Sequence, residues 1–294
     1  VSALDLHMHS LFSDDGEFEP EQLVERAHGL GVRWMALTDH NSVRGVQRAV
    51  RHGAEWGVEV IPGIEIDCLF EGVDLHLLAY FIDPSLPDFE ALEADITKKE
   101  HVAFHRRAEA LRGLGLEVDE APLLAAAHGR IIGTDQLISQ VLEHPGAHEI
   151  PLLRPYLPGG ERSSMAIVNF YWDFLGQGKP AHVAMEYMGL EQALALVRRS
   201  GGVPVLAHPG ISLASRIELL DPIARAGVVG LEVFSTYHDE VQRADFAGEA
   251  ERLGLLSTCG SDFHGRIKPG IEIGGHGGAL DEADLVERLR RYAG

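Results

Sequence analysis

In the segment Asp5-Leu6-His7-Met8-His9-Ser10, two imidazoles stand two residues apart behind a carboxylate. An extended strand turns alternate side chains to one face, so Asp5, His7 and His9 share one side and Leu4, Leu6 and Met8 the other. Imidazoles at this spacing reach a single metal ion without bending the backbone, and Asp5 is placed to orient one ring through its second nitrogen. A polar strand end would carry the same pair without any ligand. Repetition separates the two readings, because other strand-like runs also finish in His, Asp or Glu, at Asp39-His40, Glu65, His76, His208 and Asp262-Phe263-His264.

The elements that must position these residues alternate. After the first strand comes the turn-rich loop Leu11-Phe12-Ser13-Asp14-Asp15-Gly16, then a helix opened by Pro20 and running to about Leu30. Val32 to Thr38 reads as a short apolar strand and Val43 to Trp56 as a helix. Val58 to Cys68 and Val73 to Phe81 are strands separated only by a turn around Glu71-Gly72, which suggests a hairpin. From about Pro84 to Pro180 the periodicity becomes helical, with candidates over Phe89 to Leu114, Ala121 to Ala127, Thr134 to Leu142 and Ser163 to Leu175. Four prolines between His144 and Gly160 confine that stretch to loop. Strand and helix then alternate again from Val203, through Val228 to Phe234 and Leu255 to Ser261, to a closing helix over Val286 to Tyr292. The expected class is α/β, a parallel barrel or open sheet with its site at the carboxyl ends of the strands. Residues 1–84 and 181–294 would form it, and 85–180 an inserted helical subdomain.

Composition narrows the partners. With 25 basic and 45 acidic residues the formal charge is 25 − 45 = −20, which disfavours duplex nucleic acid held by a basic surface. Cys68 and Cys259 are too few for a disulfide framework and lie in apolar runs, so buried thiols are expected. No apolar run reaches the roughly 18 residues of a membrane span, and the amino terminus lacks the pattern of a signal peptide. A cytoplasmic protein is expected, with no membrane contact and no protein partner implied.

The residues that carry these strand ends resemble a known family. Asp5-Leu6-His7-Met8-His9-Ser10, Ser13-Asp14, Thr38-Asp39-His40, Gly63-Ile64-Glu65, Leu75-His76, Leu206-Ala207-His208-Pro209 and Gly260-Ser261-Asp262-Phe263-His264 stand in the order seen in PHP (polymerase and histidinol phosphatase) domain phosphoesterases. The resemblance implies a distorted (β/α)7 barrel of the PHP type and three metal positions. His7, His9, Glu65 and Asp262 would form the first, Glu65 as a bridge with His76 and His208 the second, and Asp14, His40 and His264 the third. Counting forward from His9 favours Asp14 for that last position, and counting back from Pro20 favours Asp15. Two or three divalent ions are implied, foremost Mn²⁺, with Zn²⁺ and Fe²⁺ as alternatives, since mixed imidazole and carboxylate donors suit these better than Mg²⁺.

Within the insert, Gly129-Arg130 and Gly176-Gln177-Gly178-Lys179-Pro180-Ala181 resemble members that act on 3′,5′-bisphosphonucleotides or short oligonucleotides. Arg130 and Lys179 are the expected phosphate contacts, and His238 either touches substrate or caps a helix. Clustered cations neutralise the phosphate oxygens that repel a nucleophile, lower the pKa of a water and stabilise the leaving alkoxide. The resemblance gives Asp262, Glu65 and His264 the catalytic work. The implied reaction removes the 3′-phosphate of a 3′,5′-bisphosphonucleotide. Its rivals are a 5′→3′ exonuclease on short RNA, a histidinol-phosphate phosphatase and a silent scaffold.

Overall fold

Eight strands are present among the described residues of the computed structural model, which are 2–127, 131–214 and 216–294. They are β1 (Leu4–Asp5), β2 (Trp34–Leu37), β3 (Glu59–Phe70), β4 (Val73–Tyr80), β5 (Met188–Gly189), β6 (Val203–Leu206), β7 (Gly230–Ser235) and β8 (Leu256–Gly260). Seven follow the order β1-β2-β3-β4-β6-β7-β8, and β5 pairs with the far end of β3. All neighbours run parallel except β4, which is antiparallel to both β3 and β6. The last strand returns to the first: Leu6 N–H donates to Cys259 O at 3.2 Å, Asp262 N–H to His7 O at 2.8 Å, and Met8 pairs with Phe263. This seam nearly closes the sheet into the expected distorted barrel.

The departure from a fully parallel barrel is local. Glu71 and Gly72 both take positive φ (48° and 78°), the backbone of a tight two-residue hairpin turn, and Phe70 then pairs with Val73. The antiparallel β4 therefore carries His76 towards the same region as Glu65.

Helices cover the outside where the strands leave apolar side chains. Helix Pro20–Gly29 begins with proline at its first turn and buries Leu23, Val24 and Ala27 against Met8, Met35 and Leu37. Helix Glu282–Tyr292, capped by Asp281, buries Leu285, Val286 and Leu289 against Leu4, Leu6 and Val205. Two elements depart from expectation. Helix Leu190–Arg199, with Leu190, Ala193, Leu194 and Val197 buried, precedes β6 where none was read. The stretch Ser163 to Leu175 is not one helix but a 3₁₀ turn Ser163–Met165, an α-helix Ala166–Phe170 and a π-helix Tyr171–Leu175. Phe170 and Phe174 both pack around Tyr156 there, with ring centroids 5.2 and 6.1 Å from it.

The chain divides into two compact units. One comprises the residues up to Leu92 with Tyr187–Gly265 and Ile271–Gly294, and the other Glu93–Glu186 with Arg266–Gly270. The second unit has its own apolar core, built on Leu111, Leu137, Ile138, Val141, Leu153 and Phe170. Among the described residues no helix is long and apolar enough to cross a membrane.

Candidate metal centre

The residues just beyond β1, β2, β6 and β8 and those within β3 and β4 converge. His7 Nε2 lies 3.0 Å from Glu65 Oε2 and 3.1 Å from Asp262 Oδ1, and His9 Nε2 lies 3.1 and 3.0 Å from the same two atoms. The other oxygen of Glu65, Oε1, faces a different pair, His76 Nδ1 at 2.9 Å and His208 Nε2 at 3.2 Å. One carboxylate thus addresses two groups, which is the geometry of a bridging ligand. A third group gathers His9, His40, His264 and Asp15, with His264 Nε2 3.0 Å from Asp15 Oδ2.

Asp15, not the expected Asp14, completes that third group. The loop pinches so that a Cβ on Gly16 would stand 1.8 Å from Ser10 O, and only glycine allows that approach. A backbone turn from Ser13 N–H to Ser10 O at 3.0 Å shapes the same loop. Counting along the chain could not resolve a register set by this fold-back.

Outer contacts fix how the rings point. Glu232 Oε1 lies 2.9 Å from His7 Nδ1 and its Oε2 accepts from His208 N–H at 2.8 Å, so one buried carboxylate grips two members of the cluster. Ser13 Oγ lies 2.8 Å from His9 Nδ1 and accepts from His40 N–H at 2.8 Å. His264 Nδ1 is held at 2.8 Å by Asp262 O, which leaves Nε2 for a ligand. Tyr237 donates its hydroxyl hydrogen to Asp262 Oδ2. Asp5 does not orient a ring; it accepts backbone N–H groups of Ser261, Gly274 and His7 at 2.9, 2.7 and 3.2 Å. Backbone strain collects here, since Asn41, His208 and Asp262 take φ of 52°, 23° and 58° in the segments that follow β2, β6 and β8.

The charges explain why so polar a cluster can be buried. Burial alone would lower the pKa values of His7, His40 and His76, but neighbouring carboxylates, Glu65 chief among them, raise all three, the first two well above the ordinary value. Burial would raise Glu65, yet the imidazoles of His7, His40 and His76 hold it well below the usual carboxylate range. His9 is the exception: burial, then the proximity of His264, depresses it to about 4. Burial also lifts Asp39 to about 6, against hydrogen bonds from Ser10.

The donor set fits divalent metal ions. Within each group, one ligand atom from every residue lies within 4.8 Å of the others. His9 Nε2 is buried and makes no well-formed hydrogen bond among the described residues, although two carboxylates stand beside it. Imidazole with carboxylate suits Mn²⁺, Zn²⁺ or Fe²⁺.

The expected substrate contacts fare differently. His238 is buried at 2 % exposure with both nitrogens committed, Nδ1 to Val233 O at 2.8 Å and Nε2 accepting from Gly210 N–H at 3.0 Å. It caps the short helix Pro209–Ser212 and is not free to touch substrate. Lys179 is exposed in a turn closed by its own N–H on Gly176 O at 3.0 Å. Arg130 lies outside the described residues. Sequence reasoning missed Asp67, which stands close to His40 and His76 at the edge of the cluster. Its signal was present in the alternation Glu65, Ile66, Asp67, two acidic residues on one face of a strand.

Comparison with known proteins gives this geometry a family. The PHP domain model matches residues 5–130. The chain is 29 % identical over 279 residues to a 3′,5′-nucleoside bisphosphate phosphatase from Chromobacterium violaceum, covering 93 % of this chain and 91 % of that protein. It is 30 % identical over 265 residues to a phosphoribosyl 1,2-cyclic phosphate 1,2-diphosphodiesterase from Eggerthella lenta, covering 90 % of this chain and 94 % of the relative. It is 29 % identical over 279 residues to the 5′-3′ exoribonuclease Rnm of Escherichia coli, covering 92 % and 87 %. A crystal structure of a protein assigned as a metal-dependent phosphoesterase from Bifidobacterium adolescentis superposes with a TM-score of 0.78 at 27 % identity, over 99 % of this chain and 96 % of that one. With such similarity along nearly its whole length and with the clustered ligands described above, this chain belongs to the PHP-domain family of metal-dependent phosphoesterases.

Proposed function

We propose that the chain removes the 3′-phosphate of a 3′,5′-bisphosphonucleotide to leave the 5′-monophosphate and inorganic phosphate. The observation that carries the chemistry is the division of Glu65 between two ligand groups, Oε2 towards His7 and His9 and Oε1 towards His76 and His208. The substrate is supported by similarity to the Chromobacterium violaceum phosphatase over most of both chains. Divalent ions held there, Mn²⁺ foremost, supply positive charge against the phosphate oxygens and acidify a water.

The chain's own part is positional. His7, His9, Glu65 and Asp262 hold one position, Glu65, His76 and His208 the second, and His40, Asp15 and His264 the third, with Asp262, Glu65 and His264 nearest the chemistry. Glu232 and Ser13 keep the His7 and His9 rings from turning. Arg130 and Lys179 recognise the substrate's second phosphate, the guanidinium by two parallel hydrogen bonds and the ammonium as a point charge. The insert is thereby a recognition element. The two free, buried thiols, Cys68 and Cys259, accord with a reducing, cytoplasmic compartment.

A second reading, attack from the 5′ end of short RNA, is favoured by equal identity to the Escherichia coli exoribonuclease. The test is phosphate and nucleotide release with Mn²⁺ from a 3′,5′-bisphosphonucleotide, 3′- and 5′-monophosphates, histidinol phosphate and a short 5′-phosphorylated RNA. The bisphosphonucleotide is expected to react fastest. Faster release of mononucleotides from the RNA would favour the second reading, and no release from any would refute both.

A further inference from the structure

Asp67 follows Glu65 by two residues on β3, so the two carboxylates project to the same side of the sheet. Its side chain is the meeting point of two imidazoles from different metal groups. Oδ1 lies 3.2 Å from His40 Nδ1 and 3.6 Å from His76 Nε2. Oδ2 accepts from Asn41 Nδ2 at 2.7 Å, and the backbone N–H of Asp67 donates to Asn41 Oδ1 at 3.0 Å. Asn41 makes this clasp from a left-handed conformation, φ 52°, and its own N–H donates to Glu65 O at 2.7 Å. Both residues are buried, so water competes little for these contacts.

An imidazole has two nitrogens, and the cluster already uses one of them. His76 turns Nδ1 to Glu65 Oε1 at 2.9 Å, in the group with His208, and offers Asp67 only Nε2. A fourth ion seated among His40, Asp67 and His76 would therefore need at least one ring to bind metal through both nitrogens, losing both protons. A carboxylate that accepts a hydrogen from His40 Nδ1 and faces His76 Nε2 at ion-pair distance, 3.6 Å, requires no such loss and leaves each ring a nitrogen for metal.

We propose that Asp67, clasped by Asn41, is a positioning residue that sets the tautomer and orientation of both His40 and His76 and so ties together two neighbouring metal positions. The proposal rests on the metal-dependent reading of the site and goes beyond it in assigning a residue outside the expected ligand set.

The test uses the full chain with Mn²⁺ alone as probe, free Mn²⁺ being read by its electron paramagnetic resonance signal during titration. Wild-type protein that binds no Mn²⁺ would overturn the metal reading itself, a failure distinct from the one that follows. In Asp67→Asn, binding at two positions should weaken about ten- to a hundredfold while the number of ions at saturation stays the same. Raising Mn²⁺ should then restore kcat on the wild-type enzyme's best substrate, with KM for that substrate unchanged. Asn41→Ala should shift the same two positions by a smaller factor, and it carries the test should Asp67→Asn fail to fold. Wild-type Mn²⁺ binding in both variants, with only the thermal midpoint lowered, would assign Asp67 to the fold and overturn the proposal. So would loss of one whole equivalent with the other ions unaffected, which would make Asp67 a direct ligand.

Discussion

Glu65→Gln removes one charge from the side chain on which two ligand groups depend, and its effect can be worked from the geometry. Oε2 stands 3.0 and 3.1 Å from His7 and His9, and Oε1 stands 2.9 and 3.2 Å from His76 and His208. Glutamine keeps the shape but offers one oxygen, so its amide NH₂ must face one of the two groups as a donor where an acceptor is needed. A charge-assisted contact contributes roughly 1.5–3 kcal/mol, so the missing charge costs each of the two metal positions about that much. At about 1.4 kcal/mol per tenfold, Mn²⁺ binding should weaken about ten- to a hundredfold at each position. Without metal, His7, His40 and His76 lose the carboxylate that chiefly raises their pKa values, and breaking such a buried pair costs about 3–5 kcal/mol. The assay is Mn²⁺ titration together with thermal melting in EDTA, and both should move. A Glu65→Gln protein that keeps wild-type Mn²⁺ stoichiometry and affinity and melts normally in EDTA would refute the bridging role.

Asp15→Asn should lose Mn²⁺ from the third position while Asp14→Asn should not, as read by metal analysis, because only Asp15 lies with His9, His40 and His264. Melting should depend on pH differently in the two metal states. Three histidines with raised folded pKa values contribute stability that is complete below their ordinary 6.5 and lost as pH rises through the folded values, so the metal-free midpoint should fall above pH 6.5. His9, at about 4, acts in the opposite direction only below 6.5. Metal must displace those protons, so Mn²⁺ affinity should rise over the same window, and equal slopes with and without Mn²⁺ would count against ligation by these rings. Gly260→Ala would set a Cβ 2.2 Å from His7 Cβ and 2.7 Å from Glu232 Oε1, so it should cost about 1–3 kcal/mol of stability by denaturant titration; a neutral result would mean that β8 can shift. Lys179→Ala and Arg130→Ala should each lower kcat/KM for a 3′,5′-bisphosphonucleotide about ten- to a hundredfold and spare a substrate lacking the 5′-phosphate. Equal losses on both substrates would place these side chains at the scissile phosphate.

What the sequence determined by itself is what local periodicity and spacing control. Alternation put His7 and His9 on one face and Leu4, Leu6 and Met8 on the other, and in the fold Leu6 and Met8 enter apolar clusters while the two rings meet Glu65. The α/β class and the hairpin at Glu71-Gly72 were legible for the same reason, since strand length, turn residues and apolar runs are properties of neighbouring residues, whereas the choice of a barrel over an open sheet came from the family resemblance. Helix Leu190–Arg199 was equally local, with Leu190, Ala193, Leu194 and Val197 forming its buried face.

Tertiary structure alone decided the remainder, wherever a side chain's partner comes from a distant element. Asp15 prevails over Asp14 because Gly16 folds onto Ser10 O, a contact no count along the chain contains. His238 caps Gly210, twenty-eight residues away, although its position after β7 suggested substrate. Asp67 gained its meaning only when β2 on one edge of β3 brought His40, and the antiparallel β4 on the other brought His76, to the same carboxylate. Spacing constrains which face a residue occupies; hydrogen-bond directions and oxygen-to-nitrogen distances of about 3 Å are set only when separate strands pack at defined register.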